Sequence, residues 1–293
     1  MAAVIANLAG GLGNQLFQFA NGFAVSKKMG CELFLYRDDI RTRINHKTDI
    51  EENFESEFKF VSKAELRTNF GSLNSSTLMR ELYQKSPLCP TWVMPKEYFY
   101  ERWVKYRSLN PVHGSGIYLH GYWQSPRYFE EYREKIISSL AFRLGSDLKQ
   151  RNDEKINKYR YVTVHIRGGD YLTRRNKKIY HQLSSGYYDS ACRYFSERYS
   201  DVKFLLITND EPYARSIFAE SLYNIELFEA GSSEDFYMMT KAFGNIIANS
   251  TYSWWGAWLN QNAKSIVGPK HWYAEGHVPQ HAHSILPNDW ICI

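Results

Sequence analysis

The stretch Tyr161–Tyr171, YVTVHIRGGDY, decides how this chain is read. Its first six residues are mostly β-branched or aromatic and predict a buried strand over Tyr161–Ile166. Alternation puts Val162, Val164 and Ile166 on one face and Thr163, His165 and Arg167 on the other. Gly168 and Gly169 then free the backbone to turn and to let a ligand come close. An arginine at the carboxyl end of a central strand can clamp a phosphate, because ligands of open α/β sheets bind at that edge. The competing reading makes Arg167 a solvated surface residue and His165 a satisfied core histidine, so the flanking segments must decide.

Outward from this strand the second half alternates between short apolar runs and helical patterns. Strands are predicted over 161–166, 202–207, 225–228, 245–248 and 265–267, with helices over 187–199, 211–220, 234–243 and 253–261. Such alternation with crossover helices means a parallel sheet. The N-terminus reads as another β–α–β unit: strand Ala3–Leu8, a glycine-rich turn, helix Asn14–Met29 and strand Cys31–Tyr36. A strand over Ile117–Trp123 and a helix over Pro126–Phe142 follow, while residues 38–110 are polar and lack clear periodicity. Gly145–Lys158, charged and without an apolar pattern, is the expected domain boundary. The fold class expected is α/β with two Rossmann-like domains, 1–148 and 149–275, and a C-terminal segment 276–293 packing back on the first.

The 293 residues suffice for two domains, and 44% hydrophobic with 23% charged content is ordinary for a globular protein. A net charge of +5 suits an anionic small ligand or weak attraction to an anionic membrane surface, but is too diffuse for nucleic acid. The basic run Arg174, Arg175, Lys177, Lys178 is a solvated loop or a guide for a diphosphate or an anionic surface. Four widely spaced cysteines, no signal-like start and no long apolar run lead us to expect reduced thiols in a bacterial cytoplasmic protein, peripheral to the inner membrane at most.

Several segments carry polar groups to strand ends. In GGLGNQ a dinucleotide fingerprint starting at Gly11 would need glycine where Leu16 stands; Asn14 reads as a helix N-cap, and the amides of Asn14 and Gln15 are expected to face a ligand. Asp210 either binds ribose hydroxyls or caps the next helix. Asn249, Ser250, Thr251 and Ser253 form an anion site at a helix start, with Trp254, Trp255 and Trp258 as core or as a wall. Asp235 balances a helix dipole or, if buried, accepts the N1–H and 2-amino group of guanine. His277, His281 and His283 do not make a metal site, since Pro279 interrupts their spacing. No Asp-x-Asp motif and no phosphate-binding P-loop is present.

Six ordered segments together resemble the bacterial α-1,2-fucosyltransferases of glycosyltransferase family 11. They are GGLGNQLFQFANGFAVSKK from Gly10, GYWQSPRYF from Gly121, VHIRGGDY from Val164, ITND from Ile207, EDFYMMTKAFGNIIANS from Glu234 and STYSWWGAWLN from Ser250. The resemblance implies a GT-B fold of two facing Rossmann-like domains, no cofactor and no metal. It also implies inverting transfer of L-fucose from GDP-L-fucose, held mainly by the C-terminal domain, to the 2-OH of a terminal β-galactoside approached from the N-terminal domain, in surface polysaccharide or O-antigen synthesis. Under it, Arg167 binds the donor diphosphate, His165 contacts the nucleotide or positions Arg167, and Asp235 reads guanine. Gly169, Asp210, Asn249, Ser250, Thr251 and Ser253 join the donor site. Asn14 lies near the reacting centre, and Gly13 and Gln15 of its loop join the donor site. Asp170 is the candidate general base, with turn formation as its alternative role. The family usually has His-x-Arg-Arg-Gly-Asp, whereas this chain has Gly168 in place of the second arginine; Arg174 and Lys177 are the candidates to replace it. The alternatives are transfer of another nucleotide-linked sugar, or non-catalytic nucleotide or glycan binding on the same fold.

Overall fold

A computed structural model of the protein describes residues 3–37, 49–66, 98–101, 106–109, 116–219, 221–228, 230–276 and 285–293. Most of region 38–110, and His277, His281 and His283, fall outside them. The chain forms two compact units, Met1–Ala141 with Ala282–Ile285, and Phe142–His281 with Leu286–Ile293.

In the first unit β1 (Ala3–Leu8) is buried along its whole length, as a strand flanked by parallel neighbours on both sides must be. Those neighbours are β2 (Glu32–Arg37) and β5 (Ile117–His120), with β3 (Phe60–Val61) outside β2 and β4 (Tyr98–Tyr100) outside β5. The sheet order among described residues is therefore β3-β2-β1-β5-β4, every pair parallel. Helix α1 (Leu12–Met29) returns over β1 and β2. At Gly22 any Cβ would lie 2.9 Å from Ala6 Cβ and 2.7 Å from Leu33 Cδ1, so glycine sets how closely the helix packs. Gly30 ends the helix in the left-handed region at φ 63, and its N–H bonds Lys27 O while Cys31 N bonds Ser26 O.

The second unit is built from α2 (Ser146–Lys158), β6 (Arg160–Ile166), α3 (Ser185–Arg198), β7 (Val202–Thr208), α4 (Glu211–Ile217) and β8 (Ile225–Leu227). There follow α5 (Ser232–Lys241), β9 (Gly244–Ile246), α6 (Thr251–Trp258), β10 (Ile266–Gly268) and β11 (Ile291–Cys292). Its sheet runs β8-β7-β6-β9-β10-β11, again all parallel. In chain order this is 3-2-1-4-5-6, the doubly wound order. Val162, Val164 and Ile166 pack with Phe195 of α3, Phe204 and Leu206 of β7, and Ala214 of α4. On the opposite face Thr163 accepts from Asn245 Nδ2 at 2.8 Å and the His165 ring lies 5.7 Å from that of Tyr252. The alternation read from sequence is thus realised, with both faces covered.

Four boundaries differ from the sequence reading. The expected boundary at Gly145–Lys158 lies just past the observed division between Ala141 and Phe142, and its residues Ser146–Lys158 are helix α2 of the second unit. It carries no apolar stripe because polar side chains hold it, with Asn152 donating to Glu234 and Asp153 accepting from the Tyr237 hydroxyl. The expected helix over Pro126–Phe142 breaks into two 3-10 turns and a helix of Arg133–Ser139, because Phe129 leaves helical geometry at φ −144 to bury its ring against Phe17. The expected strand Ile117–Trp123 stops at His120, since Trp123 takes φ 55. The C-terminal Leu286–Ile293 groups with the second unit, where β11 is its edge strand.

Beneath β6, Asn260 Nδ2 donates to Ala242 O at 2.8 Å, Met239 O at 3.2 Å and Asn245 Oδ1 at 2.9 Å, and Asn245 Nδ2 also donates to Met239 O at 2.8 Å. These buried amides fix the α5–β9 corner, and removing one leaves carbonyls stranded away from water. Asn260→Ala is expected to lower unfolding free energy by roughly 2 kcal/mol in urea titration, with an unchanged slope.

Candidate functional site

A sheet of order 3-2-1-4-5-6 has one place where adjacent strands send their connections in opposite directions, here between β6 and β9. The carboxyl ends of those strands deliver Arg167–Asp170 and Ile247–Ser250 to one crevice. Arg167, Tyr171, Leu183, Tyr213 and Asn249 line a single concavity there. Arg167 is pre-set by its surroundings: a terminal nitrogen lies 2.7 Å from Asp170 Oδ1, and its guanidinium sits 5.3 Å from the centre of the Tyr171 ring. Tyr171 is in turn stacked on Tyr180 at 4.3 Å. Asp170 therefore holds the arginine in this structure.

The two glycines have a definite physical reason. A Cβ at Gly168 would fall 2.5 Å from Asp210 Cβ, so no side chain of any kind fits there while Asp210 stays in place. Gly169 has φ 57, the left-handed region. Asn209 Oδ1 accepts from Gly168 N at 3.0 Å and Asp210 Oδ2 from Gly169 N at 2.8 Å, while Asp210 Oδ1 accepts from Tyr213 N at 3.2 Å and caps α4. Both Asp210 oxygens are committed to backbone, so its capping role is realised and a ribose contact is not what this geometry offers. Asn209, which the sequence reading passed over, is its working partner.

Three buried polar atoms in this region have no hydrogen-bond partner: His165 Nδ1, Arg167 Nε and Asp235 Oδ1. They gather around Tyr252, whose phenol donates to Ser232 O and feels both the Asp235 and the Arg167 charge. Burial, then the neighbouring Arg167 charge, pushes His165 down to about 3, so the imidazole is neutral at any physiological pH. Burial, then the adjacent Glu234 charge, pushes Asp235 up to about 7. Orphaned buried atoms call for an explanation, and a bound ligand that supplies their partners is one. Tyr252 was missed because in a tryptophan-rich helix it reads as packing.

On the β9 side the expected residues divide. Asn249 Nδ2 donates to His181 O and Trp272 O, both at 2.8 Å, so that amide nitrogen staples two loops. Ser253 is fully buried and its hydroxyl points back to Ala248 O at 3.4 Å and Ser250 O at 3.3 Å, which removes it as a phosphate contact. Ser250 occupies the N-cap position of α6, and its side chain does not cap the helix; Thr251 beside it is half-buried. Trp254, Trp255 and Trp258 are core. Arg174 and Lys177 are exposed on the loop beyond Asp170.

In the first unit β1 and β5 are parallel neighbours, so their carboxyl ends bring the glycine-rich turn and the turn after His120 to the same edge of the sheet. Helix α1 begins at Leu12 after an N-cap Gly11, so Asn14 lies inside the first turn and is not the cap. Asn14 Oδ1 accepts from Gln124 Nε2 at 2.8 Å. Gln15, only 2% exposed, turns inward: its Nε2 donates to Gly10 O at 2.8 Å and its Oε1 accepts from Ile50 N at 3.3 Å. The expectation that it faces a ligand is corrected accordingly. Gly13 is buried beside it in α1.

With this geometry in view, the comparisons with known proteins are informative. A family model described as glycosyl transferase family 11 matches residues 58–293, leaving the GGLGNQ turn outside the matched part. An α-1,2-colitosyltransferase of Escherichia coli is 30% identical over all of this chain and 99% of its own length. The O-antigen biosynthesis glycosyltransferase WbnK of Escherichia coli is 29% identical over 91% of this chain and 94% of its own. Among solved structures, the fucosyltransferase NodZ from Bradyrhizobium superposes with a TM-score of 0.54 at 13% identity, covering 90% of this chain and 94% of that one. Arabidopsis thaliana FUT1, a mutant in complex with GDP, gives 0.54 at 11% identity, covering 98% and 75%. The fold class is thus that of these α/β fucosyltransferases, GT-B. The chain belongs to glycosyl transferase family 11, as its motifs led us to expect. Among the described residues no helix is long and apolar enough to cross a membrane.

The fit between Gly168 and Asp210 is directly measurable. Gly168→Ala is expected to destabilise by about 1–3 kcal/mol through overpacking. In an Asp210→Gly background, which itself loses the cap, the same change is expected to cost markedly less, so a double-mutant cycle by denaturation returns a coupling of about 1 kcal/mol or more.

Proposed function

We propose that the protein transfers a deoxy sugar from a GDP-linked donor to the 2-OH of a terminal β-galactose, with L-fucose as the sugar. The observation that carries this reading is the trio of unpartnered buried atoms on His165, Arg167 and Asp235 at the reversal point of a doubly wound sheet. A guanine nucleotide diphosphate would supply what they lack. Its base presents N1–H and a 2-amino group to the Asp235 carboxylate, and its diphosphate presents oxygens to Arg167. Neutral His165 adds a hydrogen bond without a charge.

As the bond from the sugar's C1 to the β-phosphate oxygen breaks, negative charge grows on the leaving GDP. Arg167, already oriented by Asp170 and Tyr171, stabilises that charge, the role a divalent cation fills in other transferases. On this reading transfer needs no metal. The acceptor 2-OH attacks the opposite face, the anomeric centre inverts, and the hydroxyl proton leaves as the new bond forms. Asp170 serves here first as the positioner of Arg167, with proton acceptance open to it once a diphosphate takes over the arginine. Colitose is the second candidate sugar, favoured because the relative matching the whole chain is a colitosyltransferase. Assembly of a surface polysaccharide, at the inner face of a bacterial membrane, is the setting that fits the WbnK relative.

Two measurements test this reading. With GDP-fucose or GDP-colitose, lactose and EDTA, the wild type is expected to form product, and Arg167→Ala to lose it together with roughly 30-fold or more in GDP affinity. Absence of product from either donor on any β-galactoside would sink the proposal. For Asp235, ionisation is needed to accept two donors, so GDP affinity should fall as pH drops through about 7. Asp235→Asn should flatten that profile and abolish the preference for GDP over inosine diphosphate, which lacks the 2-amino group. Because burial raises the folded pKa from 3.8 to about 7, the ligand-free protein loses stability as pH rises through that interval and the loss is complete above it, so Asp235→Asn should melt higher than wild type at pH 8.

A further inference from the structure

The N-terminal unit contains a carboxylate that the donor chemistry does not use. Glu101 follows β4, and its Oε2 accepts the backbone N–H of Tyr122, at 2.9 Å, and that of Trp123. Glu101 N also donates to His120 O at 2.9 Å, which carries the strand pairing one residue further. A Cβ on Gly121 would lie 2.4 Å from Glu101 Cβ, so glycine is required for this approach. The turn gripped in this way is strained: Trp123 sits at φ 55 although it is not glycine. Strained residues persist only where their surroundings over-determine them, and they cluster at functional sites.

The turn sorts two aromatic rings to opposite fates. Trp123 goes inward, 2% exposed, with its ring 5.3 Å from Tyr128. Tyr122 is left 44% exposed, one of few large hydrophobic side chains so placed among the described residues. Two positions on, Gln124 reaches Asn14 of α1 at 2.8 Å. Gln18, one turn further along α1, ties the loops after β1 and β5 together, accepting from Ala9 N at 2.8 Å and donating to Gly121 O at 3.0 Å. Here, at the carboxyl edge of β1 and β5, one rigidly mounted loop carries both an exposed ring, Tyr122, and the amide of Gln124 that meets Asn14. A ring face suits the C–H face of a pyranose, and amides suit its hydroxyls.

We propose that Tyr122, with the Asn14–Gln124 amide pair, forms a pyranose subsite for the acceptor sugar, and that Glu101 is the positioning residue that sets it. This rests on the galactoside transfer proposed above. Burial pushes Glu101 up to about 7 against the pull of the two N–H bonds and of Arg107. Both N–H groups go to one oxygen, so a glutamine whose amide oxygen takes that place serves equally well, whereas alanine releases the turn. Gly121–Gln124 is thereby a specificity device built from backbone strain and one carboxylate.

The experiment has two independent readouts on the full chain. Saturation-transfer NMR with methyl β-D-galactoside reads sugar contact without any turnover. Fucose transfer to lactose, with GDP affinity measured in parallel, reads the reaction. Tyr122→Ala and Glu101→Ala are expected to lose the NMR contact and to raise the lactose KM about tenfold, with kcat and GDP affinity within about threefold of wild type. Glu101→Gln is expected to stay within about threefold of wild type on every measure. Contact and KM unchanged in Tyr122→Ala would overturn the subsite, as would absence of galactoside contact in the wild type. Equal loss in Glu101→Gln and Glu101→Ala would overturn the positioning role. If wild type contacts galactoside through Tyr122 yet transfers no sugar, the proposed reaction fails while the subsite stands.

Discussion

Everything in the second unit depends on β6 having a parallel partner on each edge. All seven of its residues pair with Val202–Thr208 on one side and Val162–Val164 pair with Gly244–Ile246 on the other, so the backbone polar groups at its centre are spent within the sheet. A strand so enclosed must be apolar toward its helices, and its chain must leave at the carboxyl end, where the neighbouring connections part. Arg167 and the glycine turn stand at that exit because sheet topology leaves an opening there.

At that exit the polar groups fall into two kinds. Asn209 and Asp210 accept hydrogen bonds from backbone N–H groups, Asn249 and Ser253 donate to backbone carbonyls, and together they shape the crevice. His165, Arg167 and Asp235 keep atoms unpartnered although buried. An unpartnered buried atom destabilises the folded chain, so the second kind costs stability that no hydrogen bond within the fold offsets. The same division explains Gly168. Asp210 and a side chain at 168 compete for one volume, and this chain gives that volume to the carboxylate that clamps the turn.

The first unit solves a related problem with amides. Gln15 and Gln18 are almost wholly buried and satisfy backbone groups that the glycine-rich turn and the β5 exit leave open. That turn is short of side chains, so its carbonyls and N–H groups need partners from α1. Glu101 does for the turn after β5 what Asp210 does for the turn after β6.

Much of this was legible from the chain alone. The period of two in Tyr161–Ile166, the β/α alternation and the glycine-rich exits determined the parallel sheets and placed Arg167 at a strand end, because these depend on neighbours in sequence. The family motifs made the family legible too. What sequence left open are matters of which polar atom meets which across distant segments. Helix α2 was unreadable because it docks through Asn152 and Asp153 rather than an apolar stripe. Gln15 and Ser253 looked like ligand contacts until folding turned them inward, and Asp210 until both its oxygens met backbone. Glu101 and Tyr252 carried no local signal, since their roles arise only when β4 is laid beside β5 and α6 beside α5. Local pattern dictates what each segment becomes; only tertiary packing decides which of its polar groups are consumed in holding the fold and which remain to meet a ligand.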